Sequence, residues 1–317
     1  MKIFKTDRCL GCYDNIATGF YHPKCSKDLF GISDPPYLDT TQHELETKAR
    51  EFLSRRRSVT GVQPKLSLNL VTESLPRFTV VGSLGGGYIM KPQTSDYPEM
   101  PQIEDLSMHM AKSMKIDTAR HGLLPAKDGE LAYLTKRFDR QRGEPKKIAV
   151  EDLCQLSELL TEQKYRSSYE RAGKVIAKYS SIPGDDVLRY FELIVFSFVI
   201  GNNDMHLKNF SLITENPQHI VLSPAYDLLS VRLLLSDKED PEQVALTING
   251  KKNRLEKKDF ITLATTLRIP GKVAVYILSK QIKAQETLQS WIAKSFLSKH
   301  LKTQFSSIIV KNTNLLA

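Results

Sequence analysis

The period of the hydrophobic pattern changes once along this chain, and that change limits the architecture more than any other feature. Over positions 64–91, Leu66, Leu68 and Leu70 alternate with Ser67 and Asn69, Phe78 opens a β-prone run, and Gly85-Gly86-Gly87 turns the chain into Tyr88-Ile89-Met90-Lys91. A period of two belongs to half-buried strands, so three short antiparallel strands are predicted, with a further pair over 122–124 and 131–135. A helix over 103–115 is predicted from Leu106, Met110 and Met114, and a short charged one over 42–53. From Val150 onward the period becomes helical: helices are predicted over 150–160, 169–179, 187–200, 257–267 and 273–296, with a β-like interlude after position 200.

The expected fold class is therefore α+β and bilobal, with a β-rich N-lobe and a mainly α-helical C-lobe that meet near positions 138–143 and enclose a cleft. Domains are drawn as 1–33, a Cys/His knuckle; 34–140, the N-lobe; and 141–317, the C-lobe. The chain is long enough for two lobes, and no period of tens of residues repeats. The longest apolar stretch, from Phe191 to Ile200, is broken by Glu192 and falls short of the ~20 residues of a membrane span. No apolar stretch of a secretory signal follows the first basic residues, so a cytoplasmic home is expected. Lys and Arg outnumber Asp and Glu by 45 to 36, a net charge of +9 that favours an acidic partner. The basic runs, Arg55 to Arg57, Lys146-Lys147 and the stretch from Gly250, are scattered and carry no interleaved aromatics, which argues against direct nucleic-acid readout.

Three of the four cysteines lie in the first 25 residues, where Cys9, Cys12, His22 and Cys25 form C-x2-C-x9-H-x2-C. In a reducing compartment such spacing suits a tetrahedral zinc, which four protein ligands would make structural rather than catalytic. A small loop with ordinary buried thiols is the alternative. Cys154 sits in an apolar pattern and reads as core.

Chemistry concentrates in Gly201-Asn202-Asn203-Asp204-Met205-His206-Leu207-Lys208-Asn209, a polar turn between an apolar helix and a strand-like segment. Asp204 and Asn209 have the D-x4-N spacing of a protein-kinase catalytic loop, in which the carboxylate receives a hydroxyl proton and the amide oxygen binds metal. A polar helix-capping loop is the alternative. Asp227, in Pro224-Ala225-Tyr226-Asp227-Leu228, supplies a second hard oxygen ligand from another loop, as Mg2+ bridging phosphates requires. Lys91 can pair with phosphate oxygens, and Glu104 on the next helix can orient it; a surface lysine and a solvated glutamate are the bland readings. Ser58-Val59-Thr60-Gly61-Val62-Gln63-Pro64-Lys65 is a small-residue turn whose amides can cradle phosphate, although it matches neither standard glycine-rich motif. Gly85 to Gly87 competes for that role, but reads more simply as a hairpin turn.

Taken in order, Ser58 to Lys65, Tyr88 to Pro92, Glu104 with Met108 and Ala111, Arg137-Phe138-Asp139-Arg140, Glu151 to Gln155, Asp204 to Ser211 and Pro224 to Ser230 resemble the motif series of the HipA-type serine/threonine kinase toxins of bacterial toxin-antitoxin modules. The resemblance implies a protein-kinase-like fold and a cytoplasmic kinase using ATP and Mg2+. Asp204 would be the catalytic base, Asn209 and Asp227 the metal ligands, and Lys91 the phosphate-pairing lysine. Val59, Thr60, Gly61, Val62 and Gln63 would line the phosphates; His206 and Tyr226 would neighbour the nucleotide; Lys136, Arg137 and Phe138 would form the hinge beside adenine. Ser58 matches the family's autophosphorylated serine. Ser54 is a second candidate, because the intervening guanidiniums can hold an attached phosphate.

Two departures stand out. Lys136 occupies a position often acidic in the family, and the cysteine knuckle begins where full-length members carry an extra N-terminal subdomain. The chain is thus similar to the short HipT toxins of three-component HipBST modules. That similarity implies two protein partners, a small HipS-like subunit and a helix-turn-helix HipB-like protein, with DNA reached only through the latter and no membrane partner. It also implies a protein substrate, an aminoacyl-tRNA synthetase, and arrested translation. A kinase for a small molecule or lipid head group, and a non-enzymatic nucleotide-sensing DNA-binding co-repressor, are the competing readings.

Overall fold

The computed structural model describes residues 6–54, 63–73, 75–81, 86–140 and 147–317. Ser58, Val59, Thr60, Gly61 and Val62 lie outside them, as do Arg55 to Arg57, Gly85 and Lys146, and Ser54 is described only as the last residue of a helix. The chain divides into two compact units. The first holds residues up to His109, with Ala119–Phe138 and Lys294–Leu297; the second holds Met110–Thr118, Asp139–Ala293 and Ser298–Ala317.

In the first unit the period-two residues form the sheet. Strands β1 (Leu66–Val71), β2 (Arg77–Val80), β3 (Tyr88–Lys91), β4 (His121–Pro125) and β5 (Leu131–Lys136) are antiparallel in the order β2-β1-β3-β5-β4. The register sets Leu66 against Met90 and Met90 against Leu134, so the alternating apolar residues share one buried face. Burying that face, at about 25 cal/mol per Å2 of apolar surface, is what holds strands this short. Gly86 enters β3 with φ +84°, and a Cβ there would lie 2.4 Å from the Leu68 carbonyl oxygen, so the turn accepts only glycine. Helices α1 (Pro23–Phe30), α2 (Gln42–Ser54) and the start of α3 (Met100–Ser113) complete the unit. Phe30, Phe78 and Tyr88 meet edge to face or tilted at its centre.

The second unit carries β6 (Ala149–Asp152), β7 (Ser211–Asn216) and β8 (His219–Leu222) in one antiparallel sheet. Its helices are α4 (Leu153–Leu156), α5 (Tyr169–Tyr179), α6 (Pro183–Val199), α7 (Lys257–Thr266), α8 (Gly271–Lys283), α9 (Gln285–Lys294) and α10 (Lys299–Asn314). Helix α6 is apolar almost all round and is the central element, with Phe191, Phe196 and Phe198 fully buried. Pro183 opens it and Asp185 and Asp186 sit in its first turn, where the missing N–H and the negative charges are favourable. Gly201, at φ +70°, turns the chain out of it into the polar loop.

Two readings are corrected. The helix expected over 150–160 is strand β6 followed by a single turn, α4. Asp152 caps that turn by accepting from Gln155 N–H while the Gln155 side chain accepts from Asp152 N–H, so the helix cannot extend backwards. Glu158, at φ +57°, lies just beyond its end. The single helix expected over 273–296 is two, α8 and α9, meeting at Ala284, and α10 follows where no helix was predicted.

Candidate functional site

In the first unit, Lys91 ends β3 and Glu104 lies on α3. Their side chains meet with Nζ 2.6 Å from Oε1, and both residues are buried, at 6% and 0% exposure. Neither is a solvated surface charge. Two charges held out of water cost several kcal/mol each before their attraction is counted, and replacing such a pair with apolar groups is often neutral or stabilising. Stability alone is thus a weak reason for their presence. The Lys91 ammonium also lies 5.6 Å from the centre of the Tyr133 ring.

The next residue on α3, Asp105, is fully buried and receives the Tyr13 hydroxyl at 2.6 Å and His121 Nδ1–H at 2.7 Å, with His109 Nε2 3.4 Å away. Burial pushes its carboxyl up, but the charges and hydrogen bonds of His109 and His121 outweigh burial and hold it well below the usual carboxylate range. At the predicted hinge, Lys136 N–H donates to Arg120 O at 2.7 Å and Arg137 N–H to Gly87 O at 2.9 Å, so both amides are engaged within the unit. The buried Nε2 of Gln63 has no hydrogen-bond partner among the described residues.

In the second unit, the loop after α6 is held by its own polar groups. Asp204 N–H donates to Asn202 Oδ1 (3.2 Å), His206 N–H to Asp204 O (2.8 Å), and Asn209 Nδ2 to the same carbonyl (2.9 Å). The last bond fixes the Asn209 amide and leaves Oδ1 as its ligand atom. Asp227 is on a separate turn, with the left-handed φ of +60°. Tyr226 ties that turn to the loop, for its hydroxyl meets Ser211 Oγ at 2.5 Å and donates to Lys208 O at 2.9 Å.

His206 lies within the electrostatic reach of both Asp204 and Asp227. Burial lowers its pKa below the ordinary imidazole value, while the negative charges of Asp204 and of Asp227 both oppose that drop. Two carboxylates from different loops therefore act on one imidazole. Carboxylate and amide oxygens are the hard donors that Mg2+ takes, so Asn209 and Asp227 suit the ion by donor type. Asp204 has the chemistry of a proton acceptor.

Tyr165, not anticipated from sequence, donates to Asp204 Oδ1 at 2.5 Å and stacks edge-on to His206. Burial first, and then the Asp204 charge, push its phenol far above the usual value. Nothing in the local sequence marks it, since the contact spans 39 positions. The Lys208 to Asp152 ion pair, at 2.7 Å, was likewise unmarked. A cavity of about 990 Å3 in the second unit includes Asn203, Arg232 and Lys311 in its lining but none of Asp204, Asn209 or Asp227, and so is separate from this site.

A strand lysine paired to a helix glutamate, together with a D-x4-N loop joined to a second acid, defines the protein-kinase-like class. The fold agrees. The structure is similar to HipA of Shewanella oneidensis MR-1, solved with HipB and operator DNA of its toxin-antitoxin system, at a TM-score of 0.69 and 22% identity over 82% of this chain and 66% of that one. It is similar also to the Helicobacter pylori proinflammatory kinase CtkA, at a TM-score of 0.52 and 16% identity over 72% of this chain and 86% of that one. The family model for the HipA-like C-terminal domain matches residues 57–300, and the chain belongs to that family. Relatives include a Haemophilus influenzae protein named "Putative kinase", 25% identical over 82% of this chain and 84% of its own length. A Sinorhizobium fredii protein, "Putative kinase Y4dM", is 32% identical over 77% of this chain, which spans 61% of that relative.

Proposed function

We propose that this chain is a HipA-like serine/threonine-protein kinase, using ATP and Mg2+, that acts as the toxin of a type II toxin-antitoxin module. The observation that carries this reading is the hydrogen-bonded tie between the Asp204–Asn209 loop and the Asp227 turn: Tyr226 donates to Lys208 O and meets Ser211 Oγ, and Asn209 Nδ2 donates to the Asp204 carbonyl. An acid free to accept a proton, beside two hard oxygen ligands, is what phosphoryl transfer to a hydroxyl needs. Bound Mg2+ would neutralise the phosphate charge. Asp204 takes the proton of the attacking hydroxyl, Asn209 and Asp227 hold the ion, and Lys91, oriented by Glu104, grips phosphate oxygens.

The remaining assignments rest on the family. Gln63 and the turn from Val59 to Val62 cradle the phosphates, Lys136, Arg137 and Phe138 border the base, and His206 and Tyr226 lie against the nucleotide. Ser54 and Ser58 are the autophosphorylation sites; a phosphate there adds nearly two negative charges and silences the enzyme. The domains are the knuckle over 1–33, the N-lobe over 34–140 and the C-lobe over 141–317. The partners are a HipS-like subunit and a HipB-like helix-turn-helix protein, and the substrate is an aminoacyl-tRNA synthetase in the bacterial cytoplasm. Among the described residues, no helix is long and apolar enough to cross a membrane.

The test is incubation of purified protein with radiolabelled ATP, Mg2+ and a bacterial lysate, followed by phosphosite mapping. Label on Ser54 or Ser58 and on a lysate protein, lost in Asp204→Gln, is the expected result. Phosphate appearing only on a metabolite would replace the protein substrate with a small molecule. Transfer persisting in Asp204→Gln would remove that residue as the base.

A further inference from the structure

The N-terminal knuckle takes no part in the chemistry above, yet it gathers four metal-binding side chains in the first unit. One ligand atom from each of Cys9, Cys12, His22 and Cys25 lies within 4.8 Å of every other, and none of the cysteines is in a disulfide. We propose that these four residues bind one structural zinc ion, which braces the helix that carries Glu104.

Geometry supports the ion. With Zn–S near 2.3 Å and Zn–N near 2.0–2.1 Å, a tetrahedron has sulfur-to-nitrogen edges of about 3.6 Å and sulfur-to-sulfur edges of about 3.8 Å. Cys12 Sγ and His22 Nδ1 are 3.4 Å apart, close to that edge before any ion draws them together. The other ring nitrogen is already placed: His22 Nε2–H donates to Asn15 O at 3.0 Å, which turns the Nδ1 lone pair toward the sulfurs, as metal-binding histidines are held elsewhere. The amides of Gly11 and His22 donate to Cys9 Sγ at 3.4 and 3.3 Å, an arrangement that spreads the charge of a thiolate.

The backbone is shaped to the same end. Tyr13, directly after Cys12, has φ +64° and donates its N–H to Cys9 O at 2.9 Å, closing the first turn. His22 caps α1 and Pro23 starts it, which places Cys25 in the first helical turn. Three thiolates and one imidazole satisfy a borderline-soft ion and leave no open position, so the ion does no catalysis.

What the ion would hold is also visible. Tyr13, between the ligand pairs, donates to Asp105, the neighbour of Glu104 on α3. Tyr21, beside His22, donates to Leu123 O of β4 at 2.8 Å. A Cβ on Gly122 would lie 2.3 Å from that Tyr21 oxygen, and one on Gly11 2.6 Å from its ring, so the knuckle sits flush on the strand. An eight-residue helix and a loop have little stability of their own, and the metal supplies what they lack.

The full-length protein, purified without chelator, is measured by plasma mass spectrometry for metal content. About one zinc per chain is expected. Refolding with Co2+ should give the intense visible bands of tetrahedral cobalt together with sulfur-to-cobalt charge transfer. Cys12→Ser and Cys25→Ser should lose the metal, whereas His22→Cys, which keeps four soft ligands, should retain it; this second variant answers the case in which the serine variants fail to fold. Asp204→Gln should keep its zinc even if it loses phosphotransfer, so metal binding and the kinase reading fail separately. A chain with less than about a tenth of an equivalent of zinc that folds and melts as usual would overturn the proposal, as would iron in its place or a disulfide in the intact mass.

Discussion

The hydroxyl of Tyr165 stands 2.5 Å from Oδ1 of Asp204 and donates to it, so the candidate base of this protein rests against a phenol 39 positions upstream. A short bond from a neutral donor to a carboxylate holds the acid in one rotamer. It also occupies one of the two oxygens to which a substrate hydroxyl could pass its proton, so Tyr165 either orients Asp204 or competes for it.

Replacing Tyr165 with Phe separates these roles. Tyr165 is 41% exposed, so the fold should be unaffected. If the phenol orients the base, losing a hydrogen bond to a charged group, worth about 1.5 kcal/mol, should lower kcat about tenfold at unchanged KM for ATP. Steady-state phosphorylation kinetics decide it, and a rise in kcat would mark the bond as a block.

The Lys91 to Glu104 pair predicts that stability and activity come apart. Lys91→Met takes this ammonium from the buried Glu104 carboxylate and should cost about 3–5 kcal/mol in chemical denaturation. Adding Glu104→Gln removes the buried charge and should recover most of that loss without restoring phosphotransfer. A double variant as unstable as the single one would mean that the pair is a structural element only.

How much of this was open to the sequence depends on the range of the forces involved. Short-range signals were legible: the alternation of Leu66, Leu68 and Leu70, the Gly86 turn, the helix around Glu104, and the spacing of Asp204 and Asn209. Lys91 and Glu104 could be matched because strand and helix follow one another directly. Tyr165 could not, since only the packed second unit brings it to Asp204. The misread segment at 150–160 failed for a different reason. Its apolar spacing does favour a helix, but the reciprocal Asp152 and Gln155 bonds and the ladder between β6 and β7 outweigh propensity. The break between α8 and α9 carries neither glycine nor proline, so local chemistry gives no notice of it.

His206 makes the stability of the second unit pH-dependent. Its folded pKa is lowered, chiefly by burial, so below about pH 6.5 the unfolded chain binds a proton that the native site resists. The stability it contributes is present above that value and is lost as pH falls through the folded pKa. Denaturation of wild type and His206→Asn across this range should show a steeper decline for wild type. Since Asp204 raises the imidazole value, Asp204→Asn should move the His206 NMR titration to lower pH still; an unchanged titration would mean that the two do not share a site.

Asp227 sets a trade-off between stability and chemistry. A non-glycine residue at φ +60° costs about 1–2 kcal/mol relative to ordinary backbone, less for aspartate because its side chain can bond locally. That cost vanishes in Asp227→Gly, which should be about 1 kcal/mol more stable to denaturant while losing Mg2+-dependent phosphotransfer. Asp227→Asn keeps the tolerance for this backbone and one hard oxygen, so it should bind Mg2+ more weakly and retain residual transfer at raised ion concentration. A glycine variant that is both less stable and still active would show that the turn is held for packing, and that the metal ligand must be sought elsewhere in the second unit.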